Sequence, residues 1–143
     1  MIVERERRCR KIMSDKEREN GMRVRREVLG DAHVDRALAE STPLTAAFQD
    51  FITRVAWGEV WARPGLDRKT RSCITLAVLT ALRYDGEIAI HVRAALRNGL
   101  TAAEISEVLL HSAVYAGVPA ANQAFAVAKK VLEELEGESS SRP

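Results

Sequence analysis

The chain has 143 residues with 22 Lys/Arg against 20 Asp/Glu, enough length for one packed domain with a real core. No apolar run approaches a membrane span, and the N-terminus is charged where a signal peptide would be apolar. Two lone cysteines, Cys9 and Cys73, form no metal spacing and point to a reducing compartment, so a cytoplasmic protein is expected.

The net charge of +2 hides an asymmetry. Residues 1–29 hold ten Lys/Arg against six Asp/Glu and the remainder twelve against fourteen, so the basic balance belongs to the leader. Its charges are mixed in sign and no aromatics are interleaved, the pattern of a solvated extension more than of a nucleic-acid-binding arm. Neither nucleic acid nor a membrane is expected as a partner. Residues 1–28 are read as a charged, partly helical extension, with 1–12 left out of the fold reasoning.

The elements then follow in order. A first helix is expected from about Ser14 to Leu29, ending at Gly30, and a short second one over Asp31–Ala39. Thr42-Pro43 opens a third, in which Leu44, Ala47, Phe48, Phe51, Ile52 and Val55 recur at helical spacing until about Trp57-Gly58. Pro64-Gly65 marks a turn and Asp67 an N-cap. From Asp67 to Arg83 a long helix is apolar almost all round, which places it at the centre of the domain or in a subunit interface. Tyr84-Asp85-Gly86 opens the next helix, which Asn98-Gly99 ends. Thr101 and Glu104 have the spacing of a capping box for the helix carrying His111 and Tyr115, and that helix stops at Gly117. Pro119 fits the start of a last helix running to Gly137, with 138–143 as a disordered tail. No strand pattern of useful length occurs. The expectation is an all-α domain over 29–137, with about six to seven helices in the chain.

Chemistry has few places to reside. Glu87 and His91 lie at i and i+4, so their side chains project from one helix face. A carboxylate near an imidazole raises its pKa and fixes its tautomer, which suits a proton donor or acceptor near neutral pH. The same spacing also describes an ordinary exposed ion pair, and the apolar neighbours Ile88, Ala89 and Ile90 favour a partly buried one. His111 and Tyr115 form a second i, i+4 pair that fits a core or interface histidine as well as a site. Arg63, Arg68 and Arg71 surround the start of the long helix, where an arginine can grip a carboxylate or simply be solvated. Trp57 and Trp61 can wall an apolar pocket or pack against a turn. There is no phosphate-binding glycine loop, metal-ligand cluster, Ser-His-Asp arrangement or dinucleotide fingerprint.

Three segments carry a resemblance: WGEVWARPGLDRKTRS (57–72), EIAIHVRAALRNGLTAAEI (87–105) and HSAVYAGVPAANQAF (111–125). Together they resemble the 4-carboxymuconolactone decarboxylases of aromatic catabolism, over roughly Leu29 to Leu135. That family belongs to an all-helical superfamily that includes alkylhydroperoxidase-type thiol enzymes, whose CxxC pair lies four residues before a histidine. His91 matches that histidine, while Tyr84 and Glu87 stand where the cysteines would be, so dithiol chemistry is not implied. The resemblance implies cofactor-free loss of CO2 from 4-carboxymuconolactone, in the protocatechuate (beta-ketoadipate) route. It also implies a homohexamer and a small carboxylated lactone as partner. On this reading His91 is the proton donor, Glu87 its orienting or proton-sharing partner, and Arg71 the carboxylate anchor, with His111 and Tyr115 as contacts to the lactone. A lyase acting on a different small carboxylated lactone or acid, and a non-catalytic oligomeric binding protein of the same fold, remain the alternatives.

Overall fold

Ala, Leu, Arg and Glu favour helix along most of the chain, and Gly and Pro punctuate it. The computed structural model describes residues 1–140, apart from the side chains of Arg10 and Ile12. Among the described residues there are seven α-helices and no β-strand: α1 (Ile2–Leu29), α2 (Asp31–Ala39), α3 (Ala46–Phe51), α4 (Arg68–Leu82), α5 (Asp85–Arg97), α6 (Ala102–Ala116) and α7 (Val118–Ser140). The all-α expectation holds. No described helix is long and apolar enough to cross a membrane.

The chain divides into two compact units, Met1–Leu66 and Asp67–Pro143. In the first, α1 is helical from Ile2, so the leader is not a separate coil before Ser14. Gly30, at φ 86°, closes α1 and opens α2, a left-handed conformation that glycine adopts without strain. The third helix departs most from expectation. Thr42-Pro43 lies in a turn before it, and the α-helix begins only at Ala46. From Ile52 to Trp61 the chain winds as a π-helix, with a wider turn than the α-helix, and runs past the stop expected at Gly58. At the change of pitch the Thr53 hydroxyl donates to the Gln49 carbonyl (2.8 Å), so a side chain shares in the backbone bonding there.

Glycine lets α1 and this π-helical segment approach backbone to backbone. A Cβ on Gly21 would lie 2.0 Å from the Thr53 carbonyl oxygen, and one on Gly58 would lie 2.6 Å from that of Glu17. Beside the crossing, Arg25 is buried and donates to Thr53 Oγ1 (3.1 Å) and Gln49 Oε1 (3.0 Å). Burial, and then the neighbouring charge of Arg26, lowers the pKa of its guanidinium. The helical spacing of Leu44, Phe48 and Phe51 does not translate into burial, because all three are exposed. Trp57 is buried instead, stacked on Trp61 with ring centroids 5.2 Å apart.

The second unit is built on α4 to α7. Its core gathers Leu76 from α4, Ile88, Val92 and Ala95 from α5, Ile105 and Leu109 from α6, and Ala124, Ala128 and Val131 from α7. The small alanines of α7 let it lie close to its neighbours, and each buried Leu or Ile contributes about 1.5–3 kcal/mol through lost apolar exposure. Helix α4 is buried on one side only: Ile74, Val78 and Leu82 remain about half exposed. The expected tail is shorter than the sequence suggests, since Glu138–Ser140 continue α7, and residues 141–143 lie outside the described residues.

Candidate functional site

Asp67 starts the unit. Its side chain accepts the Thr70 backbone N–H (2.7 Å) as the N-cap of α4, and that bond holds its carboxyl below the usual carboxylate range. Arg71 follows one turn later, half-buried, with its Nε shielded from solvent. At the far end of α4, Arg83 takes the left-handed conformation (φ 57°) and returns its N–H to Leu79 and Thr80. Only Arg83 and Tyr84 separate α4 from α5, so the two helices form a tight hairpin.

The face of α5 is set by its own periodicity. Ile88, Val92 and Ala95 enter the core. One step around the helix run Glu87, His91, Ala94 and Asn98, at i, i+4, i+7 and i+11. Ala94 is fully buried, and Asn98 Nδ2 donates to Ser72 Oγ on α4 (2.9 Å), so this row is turned toward α4. His91 is accordingly half-buried with its Nδ1 shielded from solvent, while Glu87, in the first turn of α5, is exposed. The Ser72–Asn98 bond also fixes the register of the hairpin. At about 1.5 Å per residue, His91 lies roughly 10 Å along α5 from the level of Ser72 and Arg71.

His111 and Tyr115 are elsewhere. Helix α6 starts with the full capping box of Thr101 and Glu104, and Glu104 also takes an ion pair from Lys69 (2.9 Å). The Thr101 backbone N–H, with Lys69 adding to it, holds the Glu104 carboxyl below the usual range. His111 and Tyr115 are both exposed on α6, their rings tilted at 42° with centroids 5.2 Å apart, so His111 is not a core histidine of this chain. His111 borders a groove of about 450 Å³ between α4 and α6, lined also by Cys73, Ile74, Ala77, Glu107, Val108 and Ser112. Glu87, His91 and Arg71 lie outside its lining. The groove beside His111 is therefore lined by neither member of the α5 pair.

Cys73 offers no activated thiolate, because burial and then the charge of Glu104 raise its pKa. Among the described residues no group of His, Cys, Asp or Glu is assembled for a metal. Arg63 is exposed in the first unit and Arg68 half-buried in the second. Sequence reasoning passed over Asp85, whose Oδ1 is buried in the first turn of α5 without a hydrogen bond, and the Ser72–Asn98 pair. Neither has a spacing signal of its own: Asp85 looks like a turn residue, and Ser72 and Asn98 are 26 positions apart.

The hairpin of α4 and α5 thus holds a half-buried imidazole one turn from the Glu87 carboxylate on an all-α scaffold. The chain belongs to the carboxymuconolactone decarboxylase family, whose model matches residues 46–130. It is 48% identical over 124 residues to the 4-carboxymuconolactone decarboxylase of Acinetobacter baylyi, covering 86% of this chain and 92% of that protein. It is 44% identical over 117 residues to the nitrosuccinic acid decarboxylase npaB of Metarhizium robertsii, covering 82% of each. A 4-carboxymuconolactone decarboxylase sequence from Pseudomonas putida is 52% identical over 48 residues, one third of this chain and all of that sequence.

Proposed function

We propose that the protein is a carboxy-lyase that converts 4-carboxymuconolactone to 3-oxoadipate enol-lactone and CO2, in the catabolism of protocatechuate. The observation that carries this reading is the identity of nearly half the residues along 92% of the Acinetobacter baylyi enzyme, the α4–α5 hairpin included. The substrate supplies its own electron sink. The bond to the departing carboxylate breaks, and its electron pair runs through the ring double bond onto the lactone oxygen as a dienolate. A proton added to the ring carbon next to the carbonyl then gives the enol-lactone.

Three tasks fall to the protein, and residues of the second unit suit them. His91, shielded on one nitrogen and turned toward α4, is the proton donor. Glu87, one turn away and still in contact with water, shares or replenishes that proton. Arg71 holds the acetate arm, as a permanently charged fork can at any working pH. His111 and Tyr115, exposed on α6, are the contacts to the lactone, supplied across an assembly of copies of the chain. The exposed Ile74, Val78, Leu82, Leu110, Val114 and Val118 of α4, α6 and α7 support an assembly that covers them, and a homohexamer is the proposed form. The chemistry and the charged exterior fit a cytoplasmic protein.

The test is direct. Purified protein is mixed with 4-carboxymuconolactone, and substrate decay and CO2 are followed together, with light scattering at micromolar concentration for the assembly. Turnover and a hexamer are expected; no CO2 above buffer, or a monomer, refutes the respective claim. The identity to the Metarhizium robertsii protein favours a second reading, decarboxylation of nitrosuccinic acid, in which the nitro group receives the electron pair. The same assay with that acid decides between them.

A further inference from the structure

We propose that Arg25 is a positioning residue: from inside the first unit it sets the π-helical pitch of Ile52–Trp61, and with it the place of Trp57. The proposal is independent of the reaction assigned above. Arg25 is 3% exposed, and among the described residues it has no acidic partner. Its bonds go to the neutral Thr53 Oγ1 (3.1 Å) and Gln49 Oε1 (3.0 Å), and its Nε makes none. A buried cation without a counter-charge is a poor source of stability. What a rigid guanidinium fork does supply is geometry. Here it fixes two residues one turn apart, at the point where the pitch changes.

Arginine donates and never accepts. With Nη1 donating to Thr53 Oγ1, the hydroxyl must point its own proton elsewhere, and it donates to the Gln49 carbonyl (2.8 Å). That carbonyl also accepts from the Ile52 N–H, so both of its lone pairs are engaged. In a continuous α-helix it would take the N–H of Thr53, four residues on. With that acceptor occupied, the Thr53 N–H reaches one residue further back, the pattern that defines a π-helix. One stripe of α1 receives the result: Glu17, Gly21 and Arg25 lie at i, i+4 and i+8. A Cβ on Gly21 would lie 2.0 Å from the Thr53 carbonyl oxygen and 3.0 Å from the Gly58 nitrogen, so the bare glycine seats a pair five residues apart. Trp57, four residues past Thr53, is carried inward to 6% exposure and stacks on Trp61. At α-helical pitch it would lie roughly a fifth of a turn away from that place.

The chain's two tryptophans are Trp57 and Trp61, so indole signals report this segment alone. The full-length protein is compared with Arg25→Met, which removes the charge and keeps an unbranched side chain, and with Thr53→Val and Thr53→Ser. Arg25→Met and Thr53→Val should each move the fluorescence emission to longer wavelength and lose the near-ultraviolet circular dichroism of the stacked indoles, because Trp57 turns toward water. The far-ultraviolet helix signal should persist in both. Thr53→Ser keeps the hydroxyl and should keep both indole signals. Wild-type indole signals in a folded Arg25→Met protein overturn the inference, and a lower melting temperature alone would make Arg25 an ordinary packing residue. If Arg25→Met does not fold, the two Thr53 variants decide. A loss confined to Thr53→Val supports the hydroxyl relay, and identical spectra in Thr53→Val and Thr53→Ser overturn it.

Discussion

Helices α5 and α6 carry the same local pattern and use it differently. Each holds a histidine with a potential partner one turn away, Glu87–His91 on α5 and His111–Tyr115 on α6. On α5 the histidine is half-buried and its row is bonded to α4 through Asn98 and Ser72. On α6 both rings are exposed, beside Leu110 and Val114, which are 57% and 76% exposed. Helical spacing thus brings two side chains together, but only the neighbouring helix decides whether they meet water, core or another subunit. The proposed division of labour follows: α5 supplies the acid within one subunit, and α6 supplies contacts only in an assembly.

The largest expected effect would break this comparison. His91→Ala should lower kcat by about two to four orders of magnitude while circular dichroism shows an intact fold, the usual range for a lost general acid. His111→Ala should cost no more than about tenfold, the scale of one net hydrogen bond. Equal losses in steady-state assays would mean that the two helices are not distinct in role.

Arg71 comes next. Arg71→Ala should weaken lactone binding by roughly 2–5 kcal/mol if its pair with the substrate is buried, with Arg71→Lys in between, and the pH profile of kcat should persist in both. A lower melting temperature with unchanged KM would make Arg71 a structural residue, and the anchor would be sought at Arg68.

The start of α6 offers a smaller effect and a sign. Thr101→Ala removes one half of the capping box and should cost about 1 kcal/mol in denaturant unfolding, with little change in kcat. Glu104 has a folded-state pKa below its ordinary value, so its contribution to stability is present above the ordinary carboxylate range and is lost as pH falls through the lowered value. Melting curves of the wild type and Glu104→Gln should differ at neutral pH and converge in acid. Divergence in acid would reverse the assignment.

The smallest effect concerns sulfur. Cys73→Ser should leave decarboxylation nearly unchanged, and neither protein should reduce peroxide with a dithiol, since burial disfavours the Cys73 thiolate. Dithiol-dependent peroxide turnover that disappears in the variant would contradict the branch assignment.

Much of this was legible from the sequence alone, for a physical reason: helix boundaries are local. The caps at Asp67 and Thr101, the stops at Gly30, Asn98-Gly99 and Gly117, and the bounds of α2 depend on side chains and backbone within a few residues, and the structure has them where the spacing put them. The i, i+4 pairing of Glu87 with His91 is local in the same way. What the sequence could not determine depends on distant partners. The π-helical turn of Ile52–Trp61 runs against α1 at Gly21 and Gly58, residues 37 positions apart, and nothing near Trp57 announces it. The exposure of Leu44, Phe48 and Phe51 contradicts their own periodicity, because apolar spacing marks a face and does not supply something to cover it. For the same reason, only packing could separate His91, half-buried on α5, from His111, left on the surface of a helix with identical spacing.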